Sequence, residues 1–356
     1  MNNQLPPKTL KPKGSGKFKS FIQWIALLAA LILILMISII PLGLTEQLIF
    51  AMLAMGFTFM VRPENESSRF RLIVLMVVSF GITCRYIYWR ITESMGWFDP
   101  EITLGFWDHF FSMGLLAAEI YAWTVLFLGF IQSIWPLRRP VLPLPVNKDT
   151  WPAVDVYIPT YNEPLNVVIP SILAARDLDW PKDKLNVYVL DDGCRPDFAA
   201  FAKKVGVRYI QREDSTGAKA GNINNALRIT DGEYIAVFDS DHAPVRSFLK
   251  KTMGWFIRDG KLGLLQTPHL FFTPDPVERN LDIFKKVPNE GQLFYGLIQD
   301  GNDNWNAAFF CGSCAVLRRG ALNEIGGITA DTVTEDAHTS LKMHKQGWNS
   351  AYLNMP

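Results

Sequence analysis

Val154-Asp155-Val156-Tyr157-Ile158-Pro159-Thr160-Tyr161-Asn162-Glu163-Pro164 decides the fold. Val154–Ile158 reads as a buried strand, and it ends in a polar signature just before a helical pattern from about Pro164 to Arg176. The alternation then repeats: strand Leu185–Leu190, helix Pro196–Val205, strand Val207–Ile210, helix Ala218–Ile229, strand Tyr234–Phe238. Strand and helix in turn predict a mainly parallel sheet covered by helices on both faces. Ligands of such sheets bind beyond the carboxyl ends of the strands. Tyr161 and Glu163 follow the first strand, Asp191 and Asp192 the second, Asp239 and Asp241 the fourth, so one crevice is expected to collect them.

Upstream, the character of the chain changes. Pro136, Pro140, Pro143 and Pro145 make residues 136–151 an extended linker. Before it, residues 21–41, 45–61, 71–91 and about 105–134 are nearly charge-free and long enough to span a bilayer core, which takes roughly 20 helical residues. Residues 21–135 are therefore expected to form four transmembrane helices in a lipid bilayer, after a basic tail over 1–20 with no cleavage site. Lys8, Lys11, Lys13, Lys17 and Lys19 precede the first span, Arg62, Arg69 and Arg71 separate the second from the third, and Arg138 and Arg139 follow the fourth. Basic flanks stay on the cytoplasmic side. That rule puts the domain over 152–356 in the cytoplasm.

Composition excludes other classes. A net charge of +1, with basic residues spread rather than banded, gives no reason to expect a nucleic-acid partner. Of four cysteines only Cys311 and Cys314 are paired in spacing, and a lone C-x-x-C without a second pair is a poor zinc or redox signal. Gly14-Ser15-Gly16-Lys17 lacks the remaining parts of a phosphate-binding loop, and the five histidines have no metalloprotease spacing.

Each polar station has a plain reading beside a chemical one. Asp239-Ser240-Asp241 can turn both carboxylates toward one hard cation such as Mg2+, with Mn2+ as an alternative, although a bare D-x-D is common by chance. Asp191-Asp192-Gly193 can be only a turn, yet a carboxylate there suits a uracil or ribose, and Tyr161 can stack on a base. Lys219, opening a helix among small neighbours, is either a surface lysine or a diphosphate ligand. Thr334-Glu335-Asp336 precedes an expected helix at Ala337–Gln346 and is either a cap or the source of a general base, Asp336.

Taken together, Tyr157–Pro164, Leu190–Gly193, Ala218–Asn222, Gln266–His269, Phe309–Ser313 and Val333–Asp336 resemble the processive family 2 glycosyltransferases, the bacterial cellulose synthases above all, over roughly residues 20–356. The resemblance implies a Rossmann-like, glycosyltransferase A-type α/β domain. It would transfer glucose from UDP-glucose, with inversion, to the non-reducing end of a β-1,4-glucan exported through the bacterial inner membrane. It implies UDP contacts from Tyr161, Glu163, Asp192 and Lys219, Mg2+ on Asp239 and Asp241, and Asp336 as base. His269, Phe309, Phe310, Cys311 and Gly312 would lie on the acceptor side. Gly217 stands where many relatives have histidine. The resemblance also implies a periplasmic partner subunit, a Gln-x-x-Arg-Trp element, later membrane helices and a cyclic di-GMP-binding PilZ domain. None of these last three precedes Pro356, so the chain is expected to be an N-terminal portion, truncated within its catalytic domain and inactive in synthesis alone. Synthases of mixed-linkage β-glucan, chitin or hyaluronan, and a non-catalytic membrane scaffold, are the competing readings.

Overall fold

The computed structural model describes residues 16–61, 69–99 and 101–355, in two compact units divided between Ile134 and Trp135. Among the described residues the first unit holds four α-helices: α1 (Gly16–Ile39), α2 (Leu44–Val61), α3 (Arg69–Trp89) and α4 (Phe106–Ser133). Among the described residues, three segments are long and apolar enough to cross a membrane: Leu44–Val61, Phe70–Ser94 and Phe106–Ser133. The span expected over 21–41 falls on α1, which begins at Gly16, so Lys17 and Lys19 are helical rather than part of a tail. Lys8, Lys11, Lys13 and Arg62 lie outside the described residues.

Two arginines inside α3 and the π turn after it need partners among apolar helices, because an unpaired charge there is costly. Arg85 is buried and donates to Gln47 Oε1 and to the Ile37 and Ile40 carbonyls, which serves the open C-terminal end of α1. Arg90 pairs with Glu119 of α4 at 2.8 Å.

The second unit is a seven-stranded sheet in the order β3-β2-β1-β4-β6-β5-β7. Its first part contains β1 (Val154–Thr160), α5 (Leu165–Arg176), β2 (Leu185–Asp191), α6 (Pro196–Val205), β3 (Arg208–Gln211), α7 (Ala218–Ile229), β4 (Tyr234–Val237), α8 (Phe248–Arg258) and β5 (Leu262–Gln266). The short helices α9 (Pro276–Asn280), α10 (Glu290–Leu293) and α11 (Gln299–Asn304) lead to β6 (Ala315–Arg318), α12 (Arg319–Glu324), α13 (Glu335–Lys345) and β7 (Asn349–Tyr352). β1 is buried at all seven positions. Val154, Val156 and Ile158 enter one hydrophobic cluster and Tyr157 the other, the period-two alternation of a strand covered on both faces.

The sheet is mixed rather than wholly parallel. β1 runs parallel to β2 and β4, β2 to β3 and β5 to β7, while β6 is antiparallel to both β4 and β5. The order 3-2-1-4 places a reversal of chain direction across the sheet between β1 and β4. The carboxyl ends of those two strands therefore flank the crevice where such sheets bind ligands.

Candidate active site

Tyr161 leaves β1 and Asp239 leaves β4 at that reversal, beside a cleft of about 500 Å³ lined by Tyr161, Glu163, Asp192, Lys219, Asp239 and Asp241 together with small neighbours. Of the residues expected in one crevice from sequence, all but Asp191 line this cleft. What each carboxylate does there differs from one to the next.

Glu163 is engaged within its own turn. Its Oε2 accepts the Thr160 hydroxyl at 2.7 Å and the Tyr161 amide at 2.8 Å. Burial pushes this carboxyl up, but those hydrogen bonds outweigh it and leave the group below the usual range. Its effect is to fix the turn that carries Tyr161, whose ring is about half exposed.

Asp191 and Asp192 divide their labour. Asp191 is fully buried, paired with Arg195 at 2.7 Å, and accepts the Tyr209 hydroxyl, so it holds the sheet end together. Asp192 lines the cleft, with its two oxygens each 2.6 Å from the Arg212 guanidinium in a two-pronged pair. Arg212 also donates to the Thr216 and Ala218 carbonyls, pinning the loop that enters α7. Sequence reading missed Arg212. Its signal was present but weak: an arginine just past a strand end, opposite an acidic turn.

At the start of α7 the backbone turns through Gly217 (φ +74°) and Ala218 (φ +45°), which aims Lys219 across the cleft. Its ammonium bonds Asp239 and the Gly312 carbonyl, the latter at 2.8 Å. Gly312 lies between opposite charges: a Cβ added to it would sit 3.4 Å from both Lys219 Nζ and Asp336 Oδ2. Asp336 belongs to the first turn of α13, which starts at Glu335, two residues before the expected start at Ala337, and its Oδ1 accepts the Ala337 amide at 2.7 Å. Its other oxygen faces Gly312. Lys219, Asp239 and Asp336, from three separate parts of the chain, thus surround one point.

Asp241 is mostly exposed and Asp239 about one-third so, which leaves oxygen donors open to a hard cation. Lys219 already supplies a positive charge at Asp239, so the position is one the fold favours for a cation. Nearby, His242, His269 and Cys314 bring possible ligand atoms within 4.8 Å of one another. Both His269 nitrogens are occupied, however: Nδ1 is 2.7 Å from the Tyr295 hydroxyl and Nε2 is 2.9 Å from the Ser313 carbonyl. Burial holds His269 below the usual imidazole range, hence neutral.

On the expected acceptor side the outcome is mixed. Phe309 is half-buried and packs edge-on against Phe294. Phe310 is a core residue at 1% exposure, anchored through its amide to Ser340, so its ring has no surface to offer a sugar. Cys311 and Cys314 are free thiols, and burial pushes them up to about 12 and about 11. Neutral thiols are poor nucleophiles and poor redox partners.

Residues 155–326 match the family described as glycosyl transferase family 2. The chain is 54% identical to the "Cellulose synthase catalytic subunit [UDP-forming]" of Pseudomonas fluorescens, over 92% of this chain and 43% of that one. It is 51% identical to the protein of the same description from Xanthomonas axonopodis pv. citri, over 93% and 44%, and 47% identical to cellulose synthase 1 catalytic subunit of Komagataeibacter xylinus, over 98% and 45%. The chain therefore spans less than half the length of these curated relatives. Among solved structures, a Pyrobaculum calidifontis mannosyltransferase in complex with GDP-Man and Mn2+ superposes with a TM-score of 0.50 at 22% identity, covering 68% of this chain and 67% of that one. That likeness is one of fold.

Proposed function

With residues 155–326 belonging to glycosyl transferase family 2 and nearly the whole chain similar to UDP-forming cellulose synthase catalytic subunits, we propose that this site transfers glucose from UDP-glucose to the end of a β-1,4-glucan. The domain would face the cytoplasm of a bacterial inner membrane, with the apolar helices taking the product outward. The observation that carries the reading is the meeting of Lys219, Asp239 and Asp336 around Gly312, with Lys219 and Asp239 lining a cleft shared with Tyr161 and Asp192.

In this reading Tyr161 stacks on uracil and Asp192, kept in place by Arg212, accepts hydrogen bonds from the base or ribose. Lys219 binds the diphosphate. Asp239 and Asp241 would hold a divalent ion, Mg2+ or Mn2+, which when bound offsets the charge developing on the departing diphosphate. Asp336 takes the proton of the acceptor hydroxyl as that oxygen bonds to the anomeric carbon, and the electron pair of the broken carbon–oxygen bond leaves with UDP. Attack opposite the leaving group inverts the anomeric centre. The neutral thiol of Cys311 and the neutral imidazole of His269 suit contacts with an uncharged glucan.

The test is calorimetry of the purified chain in lipid nanodiscs. UDP is expected to bind with Mg2+ and to lose most of its affinity on chelation; equal affinity after chelation, or in the Asp239→Ala/Asp241→Ala double variant, would remove the metal assignment. Labelled glucose, N-acetylglucosamine and glucuronate donors given to the full-length enzyme then separate a cellulose synthase from chitin and hyaluronan synthases by which one turns over.

A further inference from the structure

Ser313 lies in the loop assigned above to the acceptor, yet its hydroxyl serves the other side of the site. The residue is fully buried. Its Oγ accepts the Asp239 amide at 2.9 Å and stands 2.7 Å from His242 Nδ1. β4 ends at Val237, so the Asp239 amide lies past the ladder that serves the strand's own N–H groups. A buried N–H without an acceptor is costly, and Ser313 Oγ supplies the acceptor. The same hydroxyl meets the imidazole of the residue that follows Asp241. One oxygen therefore grips the Asp239-Ser240-Asp241 turn at both ends.

The main chain of Ser313 is held just as firmly. Its carbonyl accepts Gln266 Nε2 at 2.8 Å and His269 Nε2 at 2.9 Å. Ser313 is thus fixed from β5 and from the His269 side, and transmits that rigidity to the acidic turn.

We propose that Ser313 is a positioning residue for the cation-binding carboxylates, acting through the Asp239 peptide. The inference rests on the metal reading given above. Groups that hold a ligand in place typically change metal affinity 10- to 100-fold when removed, although they never touch the ion.

The experiment measures Mn2+ alone by electron paramagnetic resonance, and UDP with chelator present by calorimetry, on the full chain in nanodiscs. Ser313→Ala is expected to weaken Mn2+ at least tenfold and to leave chelator-phase UDP affinity within twofold. Ser313→Cys, whose sulfur is a weak acceptor, should fall between. In an Asp239→Asn background the Ser313→Ala change should add less than twofold, because its effect runs through a ligand already lost. Wild-type Mn2+ affinity in Ser313→Ala overturns the proposal, and so does an equal, additive loss in the Asp239→Asn background. Parallel losses of Mn2+, UDP and unfolding temperature would also overturn it, since they mark a merely structural serine. If Ser313→Ala does not fold, Ser313→Cys decides by the same comparisons. A wild-type chain that binds Mn2+ here but prefers GDP to UDP would sink the functional reading and leave the Ser313 comparison intact; a wild type that binds no Mn2+ sinks both.

Discussion

Lys219 sits where a cation belongs, on Asp239 and beside Asp336, and so it competes with the metal that the two carboxylates would hold. Once a diphosphate arrives, the same ammonium has a better partner of higher charge. Lys219→Met should therefore act with opposite signs: free Mn2+ binds several-fold tighter, while UDP binds about tenfold weaker. Titrating each ligand separately checks this, and losses of both would mean that Lys219 only props the loop. Asp336 carries a different expectation. Its Oδ1 accepts the Ala337 amide in the first turn of α13 and its Oδ2 faces Gly312, so Asp336→Asn keeps that acceptor and loses the base. UDP-glucose affinity should stay within about twofold and, in the full-length enzyme, turnover should fall about 10²-fold or more. Unchanged turnover would leave Asp336 only its bond within the first turn of α13.

At the scale of elements, most of the strand and helix pattern was legible because each unit carries its own punctuation. α6 and α7 begin and end as their sequences imply, and β1 and β2 run one or two residues beyond the apolar stretch, so that Thr160 and Asp191 belong to the strands. The antiparallel place of β6 was not legible, since Ala315–Arg318 has no local feature that sets its direction; pairing with β4 and β5 does. Nor was the partition of Asp191 from Asp192, which depends on Arg195 and Arg212 arriving from other elements. The small residues of Ala218-Lys219-Ala220-Gly221-Asn222 now have a steric reason. A Cβ on Gly221 would lie 2.0 Å from the Thr216 carbonyl and 2.6 Å from Arg212 Nη1. Gly221→Ala should push the 212–217 loop off α7 and loosen the Arg212–Asp192 pair, costing about 1–3 kcal/mol of stability by overpacking and weakening UDP binding. Differential scanning fluorimetry and calorimetry read the two effects; a variant with wild-type values for both would show that this loop yields freely.

Across the second unit as a whole, the segment that enters it is clamped to α11. The Leu137 amide donates to the Asp300 carbonyl at 2.8 Å, Arg139 pairs with Asp303 at 2.6 Å and lies over the Trp255 ring, and Arg138 stands 3.5 Å from Asp300. Asp300 has a fully buried carboxyl. One of its oxygens accepts Asn354 Nδ2 at 3.2 Å and the other has no hydrogen-bond partner, so burial dominates and pushes the group up to about 6 against the relief from Asn354 and Arg138. Asp303, its acidic neighbour, is raised as well, again by burial first. A carboxyl whose folded value is raised keeps its proton in the folded state after the unfolded chain has lost it. Its contribution is fully present below about pH 4, declines as pH rises toward 6, and is absent above that, a change on the order of 3 kcal/mol. Asp300→Asn removes the titration while keeping a neutral group of similar shape. Relative to wild type, the variant should therefore gain stability between pH 4.5 and pH 7.5, by several degrees in unfolding temperature. Thermal unfolding of both proteins across that range is the measurement, and parallel curves would show that Asp300 ionises in the folded state as readily as in the unfolded chain.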